Sequence, residues 1–141
     1  IERIHAVGAP VITEHIDIAN ARLEFANGCV ANITASRIST RNARKIRFYQ
    51  KDAYIAVDFA NHTITTIRQN ANSRNGLIPG MEIKKLDLAQ GDALQEELTS
   101  FAEAVFARKI PEVTGQMGRD ALEIALNIIG QIENGNSGIG D

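Results

Sequence analysis

Gly115 and Gly118 stand just ahead of an apolar run of helical spacing, in the segment VTGQMGRDALEIALNIIGQI from Val113 to Ile132. Glycines at the mouth of a helix can cradle a phosphate, because free backbone N–H groups and the positive end of the helix dipole converge on the anion. That chemistry needs a strand feeding a Gly-rich turn and then the helix. Here a helical pattern precedes the turn, no Gly-Lys-Ser/Thr tail follows, and the third glycine of a dinucleotide fingerprint is missing. The spacing favours a structural role, in which Thr114 caps the second helix and the two glycines let its first turn pack closely against the sheet or the first helix.

The other reactive residue types are scattered. His5, His15 and His62 fall in strand-like stretches or at their ends, with no carboxylate at a suggestive spacing. Cys29 is the single cysteine. It has no His or basic neighbour to lower its pKa, so it reads as a small packed residue, and alone it can form no internal disulfide. No Cys/His cluster offers a zinc framework. These residues supply no catalytic group and no metal site, and cysteine usage points mildly to a reducing, cytoplasmic setting.

Composition narrows the class. The chain has 141 residues, 44% hydrophobic and 23% charged, which suits one ordinary globular domain with its own core. A net charge of -2 leaves no electrostatic footprint for nucleic acid or for an anionic membrane. No apolar run approaches the ~18 residues of a membrane span. The chain opens on Ile1 in a strand-like stretch, IERIHAVGA, which reads as a piece of a longer polypeptide.

Up to about Leu88 the texture is one of strands. In RLEFANGCVANITASR the pair Asn27-Gly28 suits a two-residue type I′ hairpin, since both residues tolerate positive φ. That turn would set Ala26 opposite Cys29, Phe25 opposite Val30, Leu23 opposite Asn32 and Arg22 opposite Ile33. A second hairpin, ARKIRFYQKDAYIAVDF, turns at Lys51-Asp52. It pairs Phe48 with Ile55 and Ile46 with Val57 on a core face, and Tyr49 with Tyr54 and Lys45 with Asp58 on the other. HTITTIRQN and MEIKKLDL read as two further strands, joined by the polar loop Asn70 to Gly80, which is either a substrate lid or disordered.

Helical spacing begins at Asp92, a candidate N-cap. Leu94, Leu98, Phe101 and Val105 form one stripe, and Pro111 ends that helix. A second helix runs from about Gly115 to Glu133, apolar over more than one stripe and so expected to be buried on two sides. Strands followed by helices predict an α+β fold: a largely antiparallel open β-sheet of about six to seven strands with two C-terminal helices on one face. Two helices cover one side only. The other side, assigned Cys29, Ala31, Ile33 and Ala35, is expected to be an interface for self-association.

DALQEELTSFAEAVFARKIPEVTGQMGRDALEIALNIIGQIENG resembles the C-terminal signature of the glucose-fructose oxidoreductase, inositol dehydrogenase and rhizopine-catabolism (Gfo/Idh/MocA) family. Asp92, Leu94, Leu98, Phe101, Pro111, Thr114, Gly115, Gly118, Arg119, Ala121 and Leu122 fill its positions. The hairpin around Asn27-Gly28 is similar to the family's strand pair, with Phe25 and Ser36 in register. The resemblance implies that residues 1–141 are the C-terminal substrate and oligomerisation domain of an NAD(P)-dependent sugar or nucleotide-sugar dehydrogenase, with a homo-oligomer formed through the open sheet.

It also implies that the fragment alone is inactive and binds neither NAD nor NADP. The Gly-x-Gly-x-x-Gly fingerprint, the Glu-Lys-Pro motif with its catalytic lysine and the Asp-x-x-x-His motif are absent from these residues. TASRISTRNARKIRFYQ looks most like members that oxidise the sugar of a nucleotide-linked amino sugar. Arg37, Thr40 and Arg41, in and around a Ser/Thr-containing turn, and Arg74 in the polar loop, are then substrate-binding candidates, because guanidinium forks suit a sugar diphosphate. The plainer alternative makes them solvated arginines at a strand end. At the level of the whole chain, the alternative is a free-standing carbohydrate-binding or dimerisation module with no enzymatic parent.

Overall fold

A computed structural model of the chain describes residues 1–71, 79–89 and 91–136. Seven strands precede two helices: β1 (Arg3–Ala9), β2 (Ile18–Glu24), β3 (Val30–Ser36), β4 (Lys45–Tyr49), β5 (Ala53–Asp58), β6 (Thr63–Gln69), β7 (Met81–Asp87), α1 (Ala93–Phe106) and α2 (Gly115–Asn136). The class is α+β with open, wholly antiparallel sheets, as the residue pattern predicts. The strands hydrogen-bond as two sheets instead of one, of order β1-β2-β3 and β4-β5-β6-β7. The chain divides accordingly into two compact units, one of Ile1–Thr40 with the residues from Thr99 onward, the other of Arg41–Leu98. Between Ser36 and Lys45 the sequence RISTRNAR lacks alternating apolar residues, so nothing in it can continue the ladder.

In the first unit α2 packs on β1. Ile124, Ile128 and Ile132 follow one another at intervals of four, one face of the helix. Ile132 is only 2% exposed, and Ala21 and Leu23 of β2 complete the small apolar core. Gln131 lies along the free edge of β1: its Oε1 accepts the Ala6 N–H at 3.1 Å and its Nε2 donates to the Ile4 carbonyl at 2.9 Å. An otherwise open strand edge is thereby satisfied by a side chain.

Gly8 makes the close approach possible. A Cβ there would stand 2.9 Å from Ile16 Cγ2, 2.9 Å from the Ile18 carbonyl oxygen and 3.0 Å from Ile132 Cγ2. A backbone oxygen cannot rotate away, so Gly8→Ala is expected to cost about 1–3 kcal/mol of unfolding free energy. Urea denaturation would check this. A loss within error of zero would mean that α2 is not seated against β1.

The first hairpin corrects the expected register. Leu23 pairs with Ala31 and Arg22 with Asn32, one residue away from the two-residue-turn pairing. The loop holds three residues. Phe25 N–H donates to the Cys29 carbonyl at 2.9 Å, Gly28 N–H donates back to the Phe25 carbonyl at 2.9 Å, and Gly28 alone takes positive φ, at 80°. This is a tight turn closed by a left-handed glycine, the three-residue alternative to type I′. Asn27 uses its side chain instead, its Oδ1 accepting the Cys29 N–H at 3.0 Å.

A one-residue shift carries a whole strand's side chains to the other face. Ala31, Ile33 and Ala35 oppose Leu23, Ala21 and Ala19, which in turn oppose Ile4, Ala6 and Gly8 on the side of α2. The set Cys29, Ala31, Ile33 and Ala35 therefore lies on the helix side, not on the uncovered one. The uncovered side of this sheet mixes exposed Val7 and Val30 with polar groups, Arg3 and Arg22 both paired to Glu24 at 3.4 and 3.2 Å and Thr34 Oγ1 bonded to Asn20 Oδ1 at 2.8 Å.

The second hairpin matches its expected register throughout: Lys45 with Asp58, Ile46 with Val57, Phe48 with Ile55, Tyr49 with Tyr54. Lys45 Nζ reaches Asp58 Oδ2 at 2.9 Å and the two tyrosine rings lie 5.2 Å apart. The hydrogen bond from Lys45, with help from Asn61, lowers the Asp58 pKa to about 2. β6 and β7 extend the apolar row with Ile64 and Leu86 beside Val57. Ile46, Phe48 and Leu86 remain half-exposed, so this face of the four-stranded sheet is open within its unit.

Both helix starts are as expected. Asp92 Oδ1 accepts the N–H groups of Leu94 and Gln95 at 3.0 and 3.2 Å, and Thr114 Oγ1 accepts that of Met117 at 3.2 Å. Two packing expectations are corrected. A Cβ at Gly115 or Gly118 would meet nothing within 4 Å, so these glycines serve no close contact among the described residues. The second apolar stripe of α2, Met117, Leu122, Leu126 and Ile129, is exposed, as is the α1 stripe of Leu94, Leu98, Phe101 and Val105. α2 is thus buried on one side, not two. Polar edge bonding draws it to the β1 border of a narrow sheet, where only one of its stripes can meet strand.

Candidate functional site

The loop from Pro10 to Ile16 connects β1 to β2, and its shape is set by one buried carboxylate. Asp17 is 2% exposed. Its Oδ2 accepts the backbone N–H groups of Val11, Ile12 and Thr13 at 2.9, 2.8 and 2.9 Å, and its Oδ1 accepts the Thr13 hydroxyl at 2.9 Å. Three successive amides on one oxygen form a nest closed around a resident anion. Those amides, Thr13 foremost, then Ile12 and Val11, hold the Asp17 carboxyl far below the usual carboxylate range, against a burial effect that pushes the other way.

Asp17 also joins the loop to the end of β3. Its carbonyl accepts the Arg37 N–H at 3.0 Å, and its Oδ1 stands 3.7 Å from Arg37 Nε. The Arg37 side chain is 57% exposed. It borders a cleft of about 620 Å³ formed by Pro10, Glu14, His15, Ile16 and Ala19 on one wall and by Ile128, Ile129, Ile132 and Glu133 of α2 on the other. The floor is aliphatic and the rim carries charges of both signs. Such a surface can bury an apolar body while fixing a polar group at one point.

The sequence-derived candidates are distributed as follows. Arg37 and Thr40 belong to the first unit and Arg41 begins the second. Thr40 and Arg41 are exposed. Arg74 lies outside the described residues, as does most of the Asn70 to Gly80 loop; of its ends, Asn70 N–H donates to the Gly80 carbonyl at 2.8 Å. Asp17 has no place among the candidates from sequence. An aspartate four residues after a threonine is too common a pattern to single out, and only the fold shows three amides turned onto it.

No three His, Cys, Asp or Glu side chains stand together as a metal site among the described residues. Among those residues no helix is long and apolar enough to cross a membrane. A pyrophosphate cradle does not fit these helix starts either. Asp92 already takes the amides of Leu94 and Gln95 and Thr114 that of Met117, and neither helix follows a Gly-rich strand-to-helix turn.

Comparison with characterised proteins decides the family. No protein-family model matches the chain. It is 37% identical over 125 residues to UDP-N-acetylglucosamine 3-dehydrogenase from Acidithiobacillus ferrooxidans, a match covering 89% of this chain and 40% of that enzyme. The fold agrees with the sequence. A crystal structure of that dehydrogenase, GnnA, in the P21 form superposes with a TM-score of 0.85 at 36% identity, covering 94% of this chain and 42% of the solved one. The P212121 form gives 0.80 at 32% identity, over 94% and 40%.

The chain belongs to the Gfo/Idh/MocA family. It spans about two fifths of the length of the relatives it matches, so this member corresponds to part of an oxidoreductase. Of the motifs in which the resemblance is read, the helix caps at Asp92 and Thr114 form as expected, whereas the hairpin at Gly28 closes one residue away from the expected register.

Proposed function

We propose that this Gfo/Idh/MocA domain is the C-terminal, substrate-side and oligomerisation part of a nucleotide-sugar dehydrogenase, acting on UDP-N-acetylglucosamine or a close analogue. The observation that carries the reading is the match along 89% of the chain to an enzyme of that activity. When bound, NAD or NADP supplies the hydride acceptor for a ring carbinol. No residue of this chain is assigned to the dinucleotide. The parent enzyme acts in the cytoplasm.

The part of this chain is to bind and orient. Arg37 carries a fixed backbone and an exposed guanidinium beside an aliphatic cleft, which suits the charged end of an otherwise bulky substrate. Thr40, Arg41 and Arg74 are further substrate-contact candidates, each taken separately. The open apolar face of the four-stranded sheet, around Ile46, Phe48 and Leu86, is the surface assigned to subunit contact.

The full polypeptide, incubated with NAD or NADP and a panel of nucleotide sugars, inositols and free aldoses, is expected to reduce the dinucleotide with a UDP-amino sugar and not with the others. Oxidation of an inositol alone would replace the substrate assignment. Sedimentation at micromolar concentration is expected to show self-association that Phe48→Lys abolishes, and a strict monomer would remove the oligomerisation role.

A further inference from the structure

Arg37 is held at one end only. Its backbone N–H is fixed by the Asp17 carbonyl, and of its guanidinium the inner nitrogen, Nε, faces Asp17 Oδ1. The Arg37 side chain is 57% exposed and borders the cleft lined by Ile16 and Ile132. A long, flexible arginine side chain normally loses rotamer freedom when it grips a ligand. A fixed anion behind Nε removes part of that freedom beforehand while leaving the forked end available.

Asp17 is suited to this task because its charge cannot drift. Three backbone N–H groups and a hydroxyl enclose the carboxylate, it is buried, and the loop it organises supplies His15 and Ile16 to the same cleft that Arg37 borders. The loop wall and the arginine therefore share one anchor.

We propose that Asp17 is a positioning residue for substrate binding: its buried carboxylate, seated in the Val11–Thr13 amide nest, sets the direction in which Arg37 presents its outer nitrogens to the phosphate of the substrate. The inference rests on the reading of Arg37 as a substrate contact. Asp17 itself touches no substrate.

Asp17→Asn is the informative change, because an amide oxygen still accepts the three N–H groups and holds the loop while the charge behind Arg37 is gone. In the full dehydrogenase, Arg37→Ala is expected to raise KM for the nucleotide sugar about tenfold, as loss of a charge-assisted contact does. Asp17→Asn is expected to raise it about fivefold with kcat and the dinucleotide KM unchanged, and the double variant is expected to be no worse than Arg37→Ala alone, the mark of a shared pathway.

An Arg37→Ala effect with none from Asp17→Asn, or strictly additive effects, overturns the positioning role and leaves Arg37 as a contact. No effect from Arg37→Ala overturns both. Where Asp17→Asn does not fold, Arg37→Lys decides the matter. A single ammonium must choose between Asp17 and the phosphate, so KM is expected to rise nearly as far as with alanine, whereas a wild-type KM overturns the proposal.

Discussion

Ile132→Ala is expected to lower the unfolding free energy by about 2–5 kcal/mol, the cost of a large-to-small change in a core that cannot collapse around the gap. Ile132 is 2% exposed and its Cγ2 stands where a Gly8 Cβ would meet it, so the removed atoms face a strand that Ile16 and the Ile18 carbonyl already hold in place. The loss matters beyond one residue. Ile132 ends the apolar stripe by which α2 packs toward the three-stranded sheet, and Gln131 beside it satisfies the β1 edge. Leu126 is the control. It is half-exposed on the other side of the same helix, and Leu126→Ala is expected to change stability by less than about 1 kcal/mol in the isolated chain. Equal urea midpoints for the two variants would show that α2 docks by a different face.

Asp17→Ala is expected to produce the other large effect, and one that depends on pH. Without the carboxylate, three part-buried backbone N–H groups and the Thr13 hydroxyl lose their acceptor together, and each donor left unpaired carries its own penalty. The folded-state pKa of Asp17 is lowered, so the ionised form is what the fold prefers. Its contribution is fully present above the unfolded-state value, near 3.9, and fades as pH falls below that value toward the lowered one. The stability gap between the natural chain and Asp17→Ala is expected to be constant from neutral pH down to about pH 5 and to shrink steadily below about pH 4. Asp58 and Glu82, also lowered, titrate in both proteins and cancel from the difference. Melting curves of both across this range would test it. A gap that widened on acidification would mean that Asp17 is protonated in the fold.

The open face of the four-stranded sheet and the exposed stripes on both helices carry one message. Leu94, Leu98, Phe101 and Val105 repeat at helical spacing yet are more than half exposed, and Phe48 and Leu86 are half-exposed in the middle of regular pairing. Short helices are marginal in water when their apolar face is unpaired. These surfaces are accordingly the places at which the proposed enzyme's remaining polypeptide and its second subunit would be felt first, as raised melting temperature or as protection from hydrogen exchange.

By itself the sequence determined the elements and most of their boundaries: about six to seven strands, two capped helices, the Lys51-Asp52 hairpin with its Lys45–Asp58 and Tyr49–Tyr54 pairs, and the family resemblance. These are local matters, settled by alternation, by one capping side chain or by two charges facing each other across a strand pair. What only the tertiary structure decided were the things that depend on one residue of offset or on distant partners. The first hairpin closes over three residues because Asn27 answers the Cys29 amide with its side chain and leaves the positive φ to Gly28 alone, and that single step moved an apolar row to the helix side. Asp17 acquired its importance in the same way. Its acceptor oxygens find donors only when β1 and β2 pair and turn the backbone of Val11, Ile12 and Thr13 inward, a convergence of directions that a linear order of residue types does not encode.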